Sequence, residues 1–98
     1  MFTLDDDDIL RITLPDGCTQ RELVERARNE MGAMAEQFHG KHVRIYGRLT
    51  TGMAVVLGHE LAHIAKSVSI YDPREDEYVP CIWHGQHPEA ERSGDDAG

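Results

Sequence analysis

The feature that most constrains this chain is a hydrophobic repeat that switches twice from period two to the helical period of ~3.6 residues. Ile9-Leu10-Arg11-Ile12-Thr13-Leu14 is β-branched and partly alternating, which predicts a strand, and Pro15-Asp16-Gly17 closes it as a turn. Thr19 then offers an N-cap, and Glu22 completes a capping box. Leu23, Val24, Ala27, Met31 and Met34 recur at helical spacing, so a helix is expected from Gln20 to about Glu36, with Gly40 ending the connection. Val43 and Ile45 share one face of a second strand, His42–Tyr46, which runs out into Gly47-Arg48. Thr50 or Thr51 caps a second helix to about Lys66, striped by Met53, Leu57, Leu61 and Ile64. Val68 and Ile70 define a third strand, and Asp72 shares their parity. Pro73 to Glu77 reads as a hairpin turn. Tyr78 to Trp83 returns as a fourth strand, with Pro80 marking an edge or bulge.

The resulting order, β-α-β-α-β-β, predicts an α+β domain: a small α/β sandwich with both helices on one face of the sheet. A ferredoxin-like arrangement fits, with the last hairpin as a variation. A chain of 98 residues makes one domain and buries proportionally less surface than a larger one, so a homodimer, or a ligand held between protomers, is expected. The domain is expected over residues 1–85. The polar, aperiodic stretch from Gln86 to Gly98 reads as a disordered acidic tail.

No apolar run approaches the ~20 residues a bilayer span needs, so no membrane partner is expected. Asp5-Asp6-Asp7-Asp8 stands where a signal peptide would carry basic and then apolar residues. Cys18 and Cys81 lack metal-site spacing, which suits reduced thiols and a cytoplasmic location.

The formal charge of −8 argues against a duplex DNA partner, but its distribution matters more. Between Ile9 and His84 ten acidic residues face nine basic ones. From Gln37 to His59 there are no acids, while Lys41, Arg44 and Arg48 fall there. A local positive patch, sized for a compact anion, is the expectation.

Chemistry concentrates between Gly58 and Arg74. His59 and His63 sit four apart on the second helix, away from the centre of its apolar stripe, with Val55 and Val56 flanking them for another protomer to cover. His59-Glu60-Leu61-Ala62-His63 matches the zincin pattern, in which two histidines ligate zinc and the glutamate activates water. The positions where a longer metzincin motif needs glycine and histidine hold Lys66 and Ser69, which leaves His84 or Asp72 as an improvised third ligand. Taken singly, a helix-surface histidine, an aspartate before proline and a turn arginine are ordinary features. His39, His42 and His87 read as surface residues, and Tyr71 and Trp83 as core or interface residues rather than base-stacking platforms.

Jointly, Gly47-Arg48, the His59/His63 helix, Val68-Ser69-Ile70-Tyr71-Asp72-Pro73-Arg74 and the closing Trp83-His84-Gly85 resemble the CRISPR-associated ring-nuclease family known as the third Csx family. The resemblance runs from Ile9 to Gly85, is strongest from Gly47 onward, and has Tyr-Asp-Pro-Arg as its most specific string. It implies a small ferredoxin-like domain that binds and cleaves cyclic tetra-adenylate, the messenger of type III CRISPR defence. It implies three catalytic residues: His63 as the catalytic histidine, and Asp72 and Arg74 as the acid and base of the string. It also implies Gly47 and Arg48 as ligand contacts and His84 as the histidine closing the last strand; His59 and His84 join the ligand-binding candidates. Manganese dependence and dimers that sandwich the ring follow from the same resemblance, with Asp72 and His63 as metal candidates. The acidic turn Arg74-Glu75-Asp76-Glu77 departs from the family pattern.

The chemistry is coherent in its own right. RNA phosphodiester cleavage needs a proton acceptor of near-neutral pKa, which suits histidine. Arginine offers a planar fork of donors to phosphate oxygens. Aspartate can orient the histidine or hold a hard cation such as Mn2+. Two further outcomes stay open: a module that binds the ring without cutting it, and a compact zinc hydrolase using His59, Glu60 and His63.

Overall fold

In the structure, a computed structural model describing residues 1–85, the strands are β1 (Phe2–Leu4), β2 (Ile9–Ile12), β3 (His42–Gly47), β4 (Ser67–Asp72) and β5 (Glu77–Trp83). The helices are α1 (Gln20–Met34) and α2 (Thr51–Ala62), and a single 3-10 turn, Ala35–Phe38, follows α1. The acidic tail expected over 86–98 lies outside the described residues. One five-stranded sheet has the order β1-β2-β3-β4-β5, with β2, β3 and β4 parallel and the two outer strands antiparallel to their neighbours.

The α+β class stands, but the element order is β-β-α-β-α-β-β, one strand more than expected. Phe2–Leu4 is too short for an alternation to register in sequence. A turn gathered on one carboxylate folds it back: Asp5 Oδ1 accepts from the amides of Asp7 (2.9 Å) and Ile9 (3.0 Å), and Asp8 takes a left-handed φ of 62°. The ferredoxin-like arrangement also gives way. That fold splits its β-α-β units, whereas here each helix joins two adjacent strands, so sheet order equals chain order.

Both crossovers step the same way across the sheet, and right-handed connections then put both helices on one face. Leu23, Ala27 and Met31 of α1 and Met53, Leu57 and Leu61 of α2 share a core with Leu10, Ile12, Val43, Ile45 and Val68. Each fully buried Leu, Ile, Val or Met among them is worth about 1.5–3 kcal/mol. The capping box forms as expected, with Thr19 N donating to Glu22 Oε1 (2.9 Å) and Glu22 N to Thr19 Oγ1 (3.2 Å). Thr50, not Thr51, caps α2, accepting from Met53 N at 3.3 Å. Gly52 lets the helices approach: a Cβ there would lie 2.7 Å from Val24 Cγ2.

Helix α2 stops at Ala62, short of Lys66, because the sheet takes over the following backbone. Gly40 N donates to Ile64 O and Lys66 N to Lys41 O, both at 2.8 Å. The β4–β5 register shifts at Val68/Ser69, and Pro80 sits opposite Ser69 on the outer strand, where its missing N–H is tolerated.

Candidate functional site

Parallel strands give the sheet two distinct edges, and the candidate residues divide between them. Strand β3 ends at Gly47 and β4 at Asp72, so Gly47, Arg48, Asp72 and Arg74 gather at the C-terminal edge, where α/β sheets commonly bind ligands. The Tyr46–Tyr71 ring contact, 4.8 Å between centroids, keeps the two strands level as they reach it. Gly47 has a φ of +129°, and a Cβ there would lie 2.4 Å from the carbonyl oxygen of Ile12, so only glycine lets β3 leave the sheet against β2.

Beside it opens a cleft of about 560 Å³, walled by the loop from Thr13 to Cys18 together with Gly47 and Arg48. The start of α2 stands at the same edge, and Thr50 Oγ1 donates to Gln20 Oε1 of α1, tying the two helix N-termini together. Asp72 Oδ1 accepts from the amide of Arg74 at 3.0 Å, and Tyr71 OH donates to Asp76 Oδ1 at 2.6 Å, so both carboxylates brace the Pro73–Asp76 turn. Arg48 and Arg74 are exposed, and neither forms an ion pair among the described residues.

The histidines occupy the opposite edge. His59 lies in the last turn of α2 and His63 caps its C-terminal end, their rings 4.9 Å apart and nearly perpendicular, both exposed. His84, after β5, has Nε2 2.6 Å from the Ala62 carbonyl oxygen. A carbonyl only accepts, so Nε2 carries the proton and Nδ1 holds the lone pair when the ring is neutral. At ~3.3 Å per residue, the ends of β4 are roughly 16 Å apart, which separates His63 from Asp72 and Arg74 within one chain.

That separation corrects the expected metal pair. Asp72 and His63 do not converge on one cation within a protomer, so Mn2+ held jointly by them does not fit a single chain. No group of three or more His, Cys, Asp or Glu side chains able to hold a metal occurs among the described residues.

The expected positive patch is also changed. The acidic run folds onto it: Asp8 accepts from Lys41 Nζ at 3.0 Å, the Asp7 carbonyl from Arg44 Nη2 at 2.6 Å, and Asp5 Oδ2 from Arg11 Nε at 2.9 Å. The Ile9 amide, helped by Arg11 and the Asp7 amide, holds the Asp5 carboxyl below the usual range. Arg48 is the cation of that acid-free window that the run leaves untouched. Sequence reasoning missed both this neutralisation and the cleft loop. The signal for the loop was Pro15-Asp16-Gly17 at the end of a strand that proves parallel.

No helix among the described residues is long and apolar enough to cross a membrane. Comparison with family models, with curated proteins and with solved structures finds no match to this chain.

Proposed function

We propose that this protein is a ring nuclease that binds and cleaves cyclic tetra-adenylate, switching off type III CRISPR signalling. The observation that carries the reading is a pair of exposed arginines, Arg48 and Arg74, at the edge that also holds the half-buried Asp72, the start of α2 and the cleft that Arg48 lines, an edge suited to a phosphorylated ligand. Its counterpart is the His63/His84 edge, which offers imidazole groups for proton transfer.

One chain cannot apply both edges to one phosphodiester. The reading therefore requires the C-terminal edge of one copy to face the histidine edge of another, with the ring between them. His63 then accepts the proton of a ribose 2′-hydroxyl as that oxygen attacks phosphorus. The P–O5′ bond breaks, a 2′,3′-cyclic phosphate forms, and the departing 5′-oxygen takes a proton from water or an imidazolium. Arg74 donates to the phosphate oxygens as charge builds on them.

The test is incubation of the purified protein with cyclic tetra-adenylate, with and without Mn2+, resolving products by chromatography. Linear adenylates are expected. His63→Ala and Arg74→Ala should each lower turnover by about 10²–10⁴-fold, and mixing the two inactive variants should restore part of it. Unchanged turnover in His63→Ala would sink the catalytic assignment. A second reading, binding without cleavage, is favoured by the same separation, since the arginine edge alone can hold an anion; an intact ring that stays bound would select it.

A further inference from the structure

The string His59-Glu60-Leu61-Ala62-His63 is only half used by the proposed reaction, which gives His63 a step and His59 none. Helix α2 ends at Ala62, yet His63 keeps helical backbone angles, with φ −82° and ψ −21°. The two side chains, four residues apart, therefore still project from one face. Their ring centroids lie 4.9 Å apart with the planes at 84°, and both rings are exposed.

That separation is the one a shared metal ion asks for. Two imidazoles on one tetrahedral zinc ion, each with a Zn–N bond of about 2.0–2.1 Å, hold their centroids roughly 5 Å apart. The Cβ–Cγ bond points almost through the ring centre, so turning it aims a nitrogen and barely shifts the centroid. Exposed rings make that turn without displacing packed side chains. The position also favours a cation, because the pair stands at the C-terminal end of α2, where backbone carbonyls carry partial negative charge. Imidazole selects the ion: Zn2+ and Cu2+ take nitrogen ligands readily, whereas Mn2+ prefers carboxylate and water oxygens.

We infer that His59 and His63 form a two-point chelate for a borderline divalent cation of the zinc class, and that capture of the ion switches His63 off. A neutral imidazole has one ring-nitrogen lone pair. Once that pair is donated to a metal, it is not free to accept the proton of a ribose hydroxyl. The switch rests on the phosphodiesterase reading; the chelate does not. Two rings supply two ligands and leave the other positions of a tetrahedral ion open to solvent, so the ion is held reversibly and a chelator removes it. This differs from a zinc hydrolase, since the ion is an inhibitor and Glu60 has no part in holding it.

Calorimetric titration of the metal-stripped protein with Zn2+ tests the chelate. Saturable binding is expected, weakened at least ~10-fold in His59→Ala and likewise in His63→Ala, and not displaced by Mn2+. It should be unchanged in His42→Ala, whose ring sits against Ser67 Oγ. Both chelating positions are exposed, so far-UV circular dichroism of their variants should match the wild type. No zinc binding, or binding that survives His59→Ala, overturns the chelate and leaves the rings in edge contact only. With cyclic tetra-adenylate as substrate, Zn2+ should lower wild-type turnover and a chelator should restore it. His59→Ala should need at least ~10-fold more zinc for the same fractional loss, each rate being taken against that variant's own metal-free value. Turnover that ignores saturating zinc overturns the switch. A ring left uncut under every condition sinks the phosphodiesterase reading and the switch with it, while the calorimetry still decides the chelate.

Discussion

The two edges of the sheet are built from similar residue types and handle charge in opposite ways. At the N-terminal edge Lys41 is clamped by Asp8, Arg44 lies nearby against the Asp7 carbonyl, and the His84 ring is fixed on the Ala62 carbonyl. At the C-terminal edge the carboxylates of Asp72 and Asp76 bond the turn's own amide and phenol, leaving Arg48 and Arg74 outside any ion pair among the described residues. An acidic chain can therefore keep a cationic edge. Its negative charge is spent locally, on a patch that the sequence alone makes look like the better anion site.

The comparison breaks most severely at Gly47. Gly47→Ala puts a Cβ against the Ile12 carbonyl at a left-handed φ, which the surrounding strands cannot relieve without moving the β3 exit. A loss of about 2–3 kcal/mol in urea unfolding is expected, together with weaker binding of any ligand at the Arg48 edge. The His84–Ala62 bond at the far edge should survive, visible as unchanged slow exchange of the His84 amide, which donates to Lys66 O. Equal disturbance of both edges would mean that they are not independent.

The N-terminal edge is tested through Asp5. Its carboxyl is held low in the fold, so its contribution is complete above the ordinary value near 3.8 and is lost as pH falls through the lowered one. Asp5→Asn should flatten the acid limb of the stability profile in that window, and loosen β1 while leaving the Arg48 edge alone. An unaltered acid limb would show that the turn is held by its backbone and not by the carboxylate.

Local chemistry was the legible part of this fold. The capping box at Thr19/Glu22, the stripe of Met53, Leu57 and Leu61, and the outer position of Pro80 each depend on a few neighbouring residues, and each appears as read. What sequence could not carry was distance between elements. Histidine and Asp-Pro-Arg lie close along the chain, which suggests one cluster, but a strand of six residues intervenes and carries them to opposite edges. The strand order was hidden for the same reason, since a βαβ pattern fixes handedness and does not say whether another strand is inserted. Neutralisation of the acid-free window by Asp5–Asp8 required knowing that β2 starts beside β3.

The smallest effect, and the sharpest probe of the C-terminal edge, is the titration of Tyr71. Its hydroxyl donates to Asp76, and that bond, aided by desolvation, pushes the phenol up from 10.0 to about 12. The protonated phenol is the bonded form, so the contribution to stability is present below 10 and disappears as pH rises through about 12. Phenolate absorbance should show a late step that vanishes in Tyr71→Phe and moves back toward 10 in Asp76→Asn. Because Asp72 and Asp76 brace opposite sides of the turn that presents Arg74, Asp76→Asn should also loosen that arginine and weaken ligand binding modestly, leaving His63 and its edge untouched. If the late step moves and binding does not, the turn is held by Asp72 alone, and the arrangement of Arg74 is a property of the Asp-Pro-Arg string rather than of the whole hairpin.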